Sequence, residues 1–393
     1  MNLDRLRRRG ALMAFINPIA GLAGWLGWYV VPFIVILSAI VFVHELGHYL
    51  VGRWCGVRID AFSLGFGPEF CARVDSHGTR WRVGALPLGG YVKFHGDANV
   101  ASVEGRAVVD PSVDRSMTLA AQPLINRAAI VLAGPVANFI LAFVIFTGMF
   151  MAFGRIEHMP RIGRVEANSP AAAAGFQAGD LVKTIDGQAI GSFEELQEST
   201  LMSTGLPMRF VVERDGSDVA LTVTPKITVV DQGVFGKRRM GHLGLASSAD
   251  PKDAKVDRCV LPTCAAWGAA QEWFIIKATG TYIEGVFAGR ESTDQVSGLI
   301  GAAQMAGEMA KISLWELFSL AAWFSVSVGF MNLLPIPLLD GGHLVFYAFE
   351  ALLGRPLSQR IQEIGLRIGI GLVALLLVFT TSHDILRLFT NGN

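Results

Sequence analysis

Residues 28–48 read WYVVPFIVILSAIVFVHELGH, an apolar run that ends in two histidines and a glutamate. A bilayer core is ~30 Å thick, and a helix needs about 20 apolar residues to cross it. No charged residue occurs from Ala11 to Val43, so residues 28–50 are predicted to form a first transmembrane helix. The apolar run is too long for the apolar part of a secretory signal peptide, so it is predicted to stay in the protein. Residues 1–27 before it are then a tail or interfacial segment.

The composition of the whole chain favours a membrane protein. Of its 393 residues, 52% are hydrophobic and only 17% are charged, whereas an average soluble domain carries about 25% charged residues. The 33 lysines and arginines equal the 33 aspartates and glutamates in number, so the chain has no net positive field to attract nucleic acid. The lipid bilayer is therefore the expected partner, and nucleic acid is excluded.

Three further stretches are apolar and long enough to cross a bilayer, namely residues 128–154, 317–340 and 364–386. The polar segments between the first three spans, residues 51–127 and 155–316, must then lie on opposite sides. Lysine and arginine counts near the span ends do not decide which side is which. The predicted fold class is a multi-pass α-helical membrane protein with about four transmembrane helices and an inserted soluble α+β domain.

The end of the first span carries His44-Glu45-Leu46-Gly47-His48, the pattern H-E-x-x-H. On a helix, this spacing places both imidazoles on one face, one turn apart, as two ligands of one Zn²⁺ require. Glu45 lies beside them and can accept a proton from the attacking water. Polar packing at a helix end is the alternative, but three ionisable groups there are costly without partners. The motif predicts one zinc ion per chain, with Glu45 as the general base.

A catalytic zinc site usually has three protein ligands and one open position, so a third ligand must come from elsewhere. At the end of the third span, residues 332–343 read NLLPIPLLDGGH. Spans one and three run in the same direction, so Asp340 and the H-E-x-x-H motif are expected at the same membrane face. Asp340 is the predicted third ligand and His343 a competitor; a helix C-cap with a turn at Asp340 is the alternative.

Two other residues of this segment are candidates for substrate binding. Asn332 could hydrogen-bond the substrate backbone or hold a neighbouring ligand, and Pro335 could break the helix to form an irregular lining. A plain kink with a helix–helix hydrogen bond is the alternative for both residues.

The two motifs resemble those of the bacterial site-2 proteases, which are intramembrane zinc metalloproteases of the RseP type (peptidase M50-like). The residues His44 to His48 match the family pattern H-E-x-G-H. The second motif matches the pattern N-x-x-P-x-x-x-x-D-G at Asn332, Pro335, Asp340 and Gly341. The resemblance covers nearly the whole chain.

This resemblance implies that His44, His48 and Asp340 bind zinc and that Glu45 is the general base. It implies a bacterial inner-membrane location, with the active site toward the cytoplasm and residues 155–246 in the periplasm. The implied substrates are single-span proteins of the anti-sigma-factor kind, already cleaved by an upstream periplasmic protease, and signal-peptide remnants. Such cleavage is regulated intramembrane proteolysis, a part of stress responses.

Residues 83–94 read VGALPLGGYVKF and predict a hairpin around Gly89-Gly90 that dips into the membrane. Non-helical backbone at that depth survives only when it is buried in protein or lines a cavity. An exposed edge strand there would accept an unwound substrate segment, as the resembling family is thought to do. Gly89, Gly90 and Tyr91 are therefore predicted to bind substrate; a surface hairpin packed on its own protein is the alternative.

Residues 155–246 change to short strands and Asp-Gly turns around one helix near residues 192–202. The segment 169–180, SPAAAAGFQAGD, resembles the start of a bacterial PDZ domain, which captures chain termini by strand addition. The predicted peptide-binding loop is Ala174, Gly175 and Phe176. One PDZ-like copy is visible, whereas well-known RseP-type members have two in tandem.

The remaining segments are predicted to connect these parts. They are a linker with amphipathic helices over residues 247–316, a loop over residues 341–363 and a tail over residues 387–393. Within the linker, Cys259 and Cys264 could form a disulfide if their segment faces an oxidising compartment.

Hydrolysis of a peptide bond in or near a transmembrane helix is the predicted function. Two other classes of function remain open at this point. A metal transporter or sensor would use intramembrane histidine and aspartate but has no need of Glu45. A non-catalytic PDZ adaptor would have a closed structural metal site, whereas hydrolysis needs an open position.

Overall fold

The computed structural model describes residues 26–96, 115–201, 205–231, 237–289 and 298–390. The predicted tail over residues 1–27 lies outside this part except for its last two residues, and so do the last three residues of the predicted C-terminal tail.

The chain divides into two compact units. The first comprises residues 1–146, 268–281 and 297–393, and the second comprises residues 147–267 and 282–296. The α-helices of the described residues, in chain order, are α1 (Val31–Trp54), α2 (Leu124–Phe153), α3 (Pro170–Ala174), α4 (Phe193–Leu201), α5 (Leu261–Phe287), α6 (Leu299–Ile312), α7 (Leu314–Asn332), α8 (Asp340–Leu353) and α9 (Gln359–Thr390).

Four helical stretches are long and apolar enough to cross a membrane. They are Gly27–Trp54, Leu124–Phe153, Leu314–Asn332 and Gln359–Leu386. This agrees with the four spans predicted from the sequence. Their ends differ from the prediction, most of all in the third span, which ends at Asn332 rather than at residue 340.

The third span ends early because two prolines follow it. Pro335 and Pro337 lack the N–H that a helix needs, so the chain runs without helix from residue 333 to residue 339. A new helix, α8, then begins at Asp340 and continues to Leu353. The predicted loop over residues 341–363 is therefore wrong in its first half, and so is the alternative of a helix C-cap at Asp340.

Helices α1, α6 and α7 of the first unit pack around one apolar cluster. Its buried members are Phe33, Ile36, Ile40, Ala303, Ala306 and Leu320. Small residues on α6 let α1 approach closely, because a Cβ at Gly307 would lie 2.7 Å from the carbonyl oxygen of Trp28. At the same place the Tyr29 hydroxyl donates a hydrogen bond to Glu308 (2.8 Å). The cluster fixes α1, which carries the H-E-x-x-H motif.

A long antiparallel hairpin follows α1, formed by β1 (Ile59–Val74) and β2 (Arg80–Phe94). Its turn lies at residues 75–79. Residues 80–83 run parallel to residues 61–64 and residues 90–93 run antiparallel to them, so β2 reverses direction between Val83 and Gly90. The predicted hairpin around Gly89-Gly90 is wrong in its pairing, because both of its runs pair with β1. The Asp75 carboxylate organises this turn by accepting hydrogen bonds from the backbone N–H groups of His77 and Thr79 and from the indole of Trp81. Burial alone raises the pKa of Asp75, but these hydrogen bonds and one from Tyr49 lower that pKa to about 2.

The hairpin curls so that β1 pairs with β2 twice. Residues 61–64 of β1 lie between residues 80–83 on one side and residues 90–93 on the other. Among the described residues, residues 90–94 therefore form an edge of this sheet. The base of the hairpin packs on α1 through a buried group of Tyr49, Ile59 and Phe62.

The second unit contains an antiparallel sheet with the order β6-β5-β7-β8. Its strands are β3 (Arg155–His158), β4 (Ile162–Val165), β5 (Leu181–Ile185), β6 (Gln188–Ala189), β7 (Met208–Arg214), β8 (Ser217–Val223), β9 (Lys226–Asp231), β10 (Lys237–His242), β11 (Leu245–Ser247) and β12 (Ala254–Asp257). The core includes Val182, Phe210 and Val212, which are fully buried because alternate residues of β5 and β7 face inward. The predicted small α+β domain is present.

Two features of the segment after this sheet were uncertain from the sequence. Cys259 and Cys264 form a disulfide. The segment 251–265 reads as a plain linker, but β12 pairs with β3 and α5 begins at Leu261. The prediction of a linker at this point is therefore wrong, whereas the predicted helices of residues 247–316 are present as α5 and α6.

Candidate metal centre and active site

Three side chains from two helices meet at one point of the first unit. His44 and His48 lie one turn apart on α1, and their Nε2 atoms are 3.2 Å apart. Oδ2 of Asp340, at the start of α8, lies 3.2 Å from Nε2 of His44 and 3.6 Å from Nε2 of His48. Among the described residues, these three thus form a group that could hold a metal ion.

The spacing of these atoms fits a zinc ion. Donor atoms 2.0–2.2 Å from a tetrahedral Zn²⁺ are about 3.3–3.6 Å apart, which is close to the three observed separations. Oδ2 of Asp340 is buried and has no hydrogen-bond partner in the described part of the chain, so a cation between the three donors would satisfy it. Two imidazoles and one carboxylate are a common ligand set of hydrolytic zinc sites.

The backbone of α2 supports this group through a close approach of two helices. A Cβ at Gly47 would lie 2.3 Å from the carbonyl oxygen of Ala133, and a Cβ at Gly134 would lie 2.3 Å from Nε2 of His48. Only glycine fits at either position, so α1 and α2 meet at backbone distance. Nδ1 of His48 lies 2.8 Å from the carbonyl oxygen of Ile130, which leaves its Nε2 facing the metal group.

Glu45 shares a cavity of about 320 Å³ with the three ligands. Other residues that line the cavity are Gly90, Tyr91, Val92, Asn332, Leu338 and His343. A Cβ at Gly90 would lie 3.2 Å from Cγ of Glu45, so strand β2 passes directly beside this side chain. A carboxylate, three ligand atoms and a strand edge therefore surround one space that can hold a peptide segment.

Comparison with known proteins shows the family of this chain. The profile described as Peptidase family M50 matches residues 32–376, which contain the three ligands and Glu45. The chain belongs to peptidase family M50. This M50 chain is 42% identical to a protein of Agrobacterium fabrum assigned to the zinc metalloproteases, over 94% of the chain and 99% of that relative. It is 38% identical to the metalloprotease MmpA of Caulobacter vibrioides, over 91% of the chain and 95% of that relative.

The resemblance predicted from the two motifs is thereby confirmed. A solved structure, the PDZ domain of the SdrC-like protein from Listeria monocytogenes, matches 23% of the M50 chain over 87% of its own length. Its sequence identity is 22% and its TM-score is 0.19.

Of the other predicted residues of the second motif, the structure of the M50 chain places some in the cavity lining and one outside it. Asn332, the last residue of α7, lines the cavity, whereas Pro335 is outside the lining among the described residues and lies in the link before α8. His343 lines the cavity one turn after Asp340 but is not part of the three-ligand group. Leu338, which the sequence did not single out, lines the cavity with a backbone φ of 113°.

The predicted substrate-binding residues of the hairpin lie close to the site. Gly90 and Tyr91 line the cavity. Gly89 is adjacent, has a φ of 125°, and a Cβ there would lie 2.6 Å from the ring of Phe66. Position 89 therefore requires glycine for two reasons, a left-handed backbone and a ring in contact with it. Substrate binding by these residues stays a prediction.

The predicted peptide-binding loop lies at the end of the short helix α3. Gly175 caps this helix with a φ of 88°. Phe176 is only 5% exposed and packs edge-on against Phe210 in the core of the second unit. A groove of about 80 Å³ on this unit is lined instead by α4 and by residues 241–245. Peptide binding by Ala174, Gly175 and Phe176 stays a prediction, and Phe176 has a clear structural role.

Proposed function

We propose that this M50 chain is a site-2 zinc metalloendopeptidase that cleaves peptide bonds in or near transmembrane segments. The observation that carries the proposal is the group His44, His48 and Asp340 with Glu45 in one cavity, on a chain with four helices long enough to cross a membrane. When bound, zinc supplies the Lewis acidity that activates water and polarises a carbonyl group.

The residues of the chain have separate roles in this reaction. His44 and His48 would hold the ion through Nε2, and Asp340 would hold it through Oδ2. Glu45 takes the proton of the attacking water and then delivers it to the leaving amine. One carboxylate serves both steps because it faces the same cavity as the ligands.

The edge strand of the hairpin supports a role in presenting the substrate. Peptide bonds in a helix are shielded by the turns around them, so a transmembrane substrate must unwind before hydrolysis. Residues 90–94 have one strand partner within the described hairpin, and residues 90–92 line the cavity. Pairing of an unwound segment with this edge would hold an extended bond beside Glu45.

We further propose the bacterial inner membrane as the location. The disulfide between Cys259 and Cys264 supports a periplasmic position of the second unit, because disulfides persist in oxidising compartments. The active site, one span away, then lies toward the cytoplasm. A membrane-impermeant thiol reagent should label both cysteines in intact cells after mild reduction; labelling only after lysis would contradict this orientation.

The proposed substrates are single-span proteins of the anti-sigma-factor kind, first cut by an upstream periplasmic protease, together with signal-peptide remnants. A cavity of about 320 Å³ holds a few residues of an extended chain, which supports a short unwound segment as the reacting part.

Cleavage of a truncated single-span protein by the purified wild type and by Glu45→Gln tests the proposal, with zinc content measured for both. We expect equal zinc in both proteins and a loss of cleavage of at least 100-fold in the variant, since a general base contributes about 10²–10⁴-fold. Glu316→Gln, an exposed change at the far end of α7, is the matched control and should cleave normally.

Other outcomes would assign the chain to another class. Equal zinc without cleavage by the wild type, over several trimmed substrates, would favour the adaptor. Unchanged cleavage by Glu45→Gln would contradict the proposed role of Glu45. Transport of zinc into vesicles, unaffected by Glu45→Gln, would favour the metal transporter.

A further inference from the structure

One face of α2 packs against His44 and His48. The residues of this face recur at the same interval as the two histidines. Ile130, Gly134 and Asn138 follow one another at intervals of four residues, as His44 and His48 do on α1. Gly134 contacts both imidazoles, since a Cβ there would lie 2.3 Å from Nε2 of His48 and 2.9 Å from Cε1 of His44. The residues on either side of Gly134 therefore reach the outer nitrogens of the two rings.

The outer nitrogen of His48 has an acceptor on this face. Its Nδ1 lies 2.8 Å from the carbonyl oxygen of Ile130, which can only accept a hydrogen bond. Nδ1 of His48 therefore carries the proton, and the lone pair of Nε2 points toward the metal group. A fixed tautomer of this kind is the usual condition for a histidine ligand.

The outer nitrogen of His44 faces the side-chain amide of Asn138. This amide is fully buried, and its nitrogen lies 3.3 Å from Nδ1 of His44. Its oxygen, Oδ1, is buried and has no hydrogen-bond partner among the described residues. If Nε2 of His44 binds a metal, Nδ1 carries the proton and needs an acceptor, whereas an NH₂ group is a donor.

Exchanging the amide oxygen and nitrogen of Asn138 resolves both problems at once. The two groups have nearly the same shape, so their assignment follows from the hydrogen-bond network. After the exchange, Oδ1 accepts from Nδ1 of His44 and is no longer unsatisfied. We propose that Asn138 is a positioning residue, whose amide oxygen holds His44 in the tautomer and orientation that ligates zinc.

The surroundings of Asn138 keep it in place for this role. Ser325 of α7 donates a hydrogen bond to the carbonyl oxygen of Asn138 (2.8 Å). A Cβ at Gly329, one turn further along α7, would lie 3.4 Å from Cβ of Asn138. Asn138 is therefore enclosed between α1 and α7. A fully buried amide in an apolar helix is costly unless its polar atoms have partners, and His44 supplies the partner of the amide oxygen.

The inference rests on the proposed function in one respect, that the group binds zinc, and it needs no protease activity to be tested. Outer partners of histidine ligands typically change metal affinity by about 10–100-fold. Asn138→Leu removes the acceptor at similar volume, Asn138→Ala removes it without crowding, and Asn138→Asp keeps an acceptor oxygen. Thr147→Val is the control, a buried hydroxyl further along α2.

The measurement is zinc affinity of the full-length protein in detergent, by competition with a chelator of known affinity. Thermal unfolding of the zinc-free proteins is measured beside it. We expect affinity to fall about 10–100-fold in Asn138→Leu and Asn138→Ala, and to change less than about threefold in Asn138→Asp and Thr147→Val. The zinc-free proteins should unfold at temperatures that do not follow this order.

Wild-type zinc affinity in Asn138→Ala would overturn the proposal, and so would an equal loss in Asn138→Asp and Asn138→Ala. Failure of the proposed function gives a different pattern. A wild type that binds zinc but cleaves no substrate would contradict the proposed protease function. The order of zinc affinities among the Asn138 variants would still hold.

Discussion

Two aspartates with buried carboxylate oxygens, one in each unit, show how a structural carboxylate differs from a candidate ligand. Asp180 of the second unit is 1% exposed and accepts hydrogen bonds from Nε and Nη2 of Arg214 (2.7 and 2.8 Å) and from the backbone N–H of Gln177. Asp340 of the first unit is 17% exposed and faces two histidines, and its Oδ2 has no hydrogen bond within the described part of the chain. Of these two carboxylates, Asp180 alone is satisfied by the described residues.

This difference indicates that Asp180 stabilises the second unit and that Asp340 is available for chemistry. A buried carboxylate with a bidentate arginine and a backbone donor has no remaining capacity for a ligand. A buried carboxylate oxygen without a donor, beside two imidazole nitrogens, has the capacity to bind a cation. The unsatisfied oxygens of Asp340 and Asn138 stand beside the two histidines, and this location makes them indicators of function.

The largest effect is expected for Asp340→Asn. This substitution keeps the shape but removes the charge of one of three ligands, so zinc affinity should fall by more than about 100-fold and cleavage with it. The measurements are zinc content after dialysis against a chelator and cleavage of a trimmed single-span substrate. If Asp340→Asn retained zinc at the wild-type ratio, Asp340 would not be a ligand, and its proposed difference in role from Asp180 would be contradicted.

The second prediction concerns Arg214→Met, which leaves Asp180 buried without its cation. We expect the second unit to lose about 2–4 kcal/mol of stability at pH 7, somewhat less than for a fully buried pair because Arg214 is 23% exposed. Pulse proteolysis of the full-length protein in urea measures this change. Zinc affinity should stay unchanged, and a loss of zinc would contradict the separate roles of the two carboxylates.

The pH dependence sharpens this second prediction. In the wild type, burial alone raises the pKa of Asp180, but the hydrogen bonds and charge of Arg214 hold that pKa below its usual range. The stabilisation by the pair is therefore present above about pH 4 and is lost as the pH falls through the folded pKa. The stability difference between the wild type and Arg214→Met should shrink as the pH falls below 4.

The smallest effect is expected for Asp75→Asn in the hairpin turn. Asn keeps one acceptor oxygen, so the loss should be about 1–2 kcal/mol, detected as faster hydrogen exchange over residues 59–94. The pKa of Asp75 is lowered to about 2 from an ordinary value of 3.8. The wild-type turn should thus weaken as the pH falls from 4 to 2, whereas Asp75→Asn should respond little; an equal response would contradict the hydrogen bonds described for this carboxylate.

Several features of the site could be predicted from the sequence because they depend on local spacing. The interval of four between His44 and His48 fixes their common face on any helix. The direction of the spans places Asp340 on the same side. The pairing of the hairpin could not be predicted in this way, because residues 80–83 and 90–93 both pair with residues 61–64 of β1. Gly89 and Gly90 are also required by the contact with Phe66 and by the passage of β2 beside Glu45.

Other features depend on residues distant in the sequence. In the sequence, Phe176 looks like part of a peptide-binding loop. In the structure its ring packs against Phe210 in the core of the second unit. Asn138 looks like an ordinary polar residue in an apolar span. Its partner His44 is 94 residues earlier in the chain, and only the close packing at Gly47 and Gly134 brings the two together.

The sequence by itself determined four stretches long and apolar enough to cross a membrane and the helical face shared by His44 and His48. From a helical period and the direction of a span it also predicted Glu45 as the base and Asp340 as the third ligand. The tertiary structure alone decided which polar atoms are satisfied. A hydrogen bond requires a partner within about 3.5 Å. Such partners come from whichever helix or strand packs alongside, as α2 does for His44 and His48.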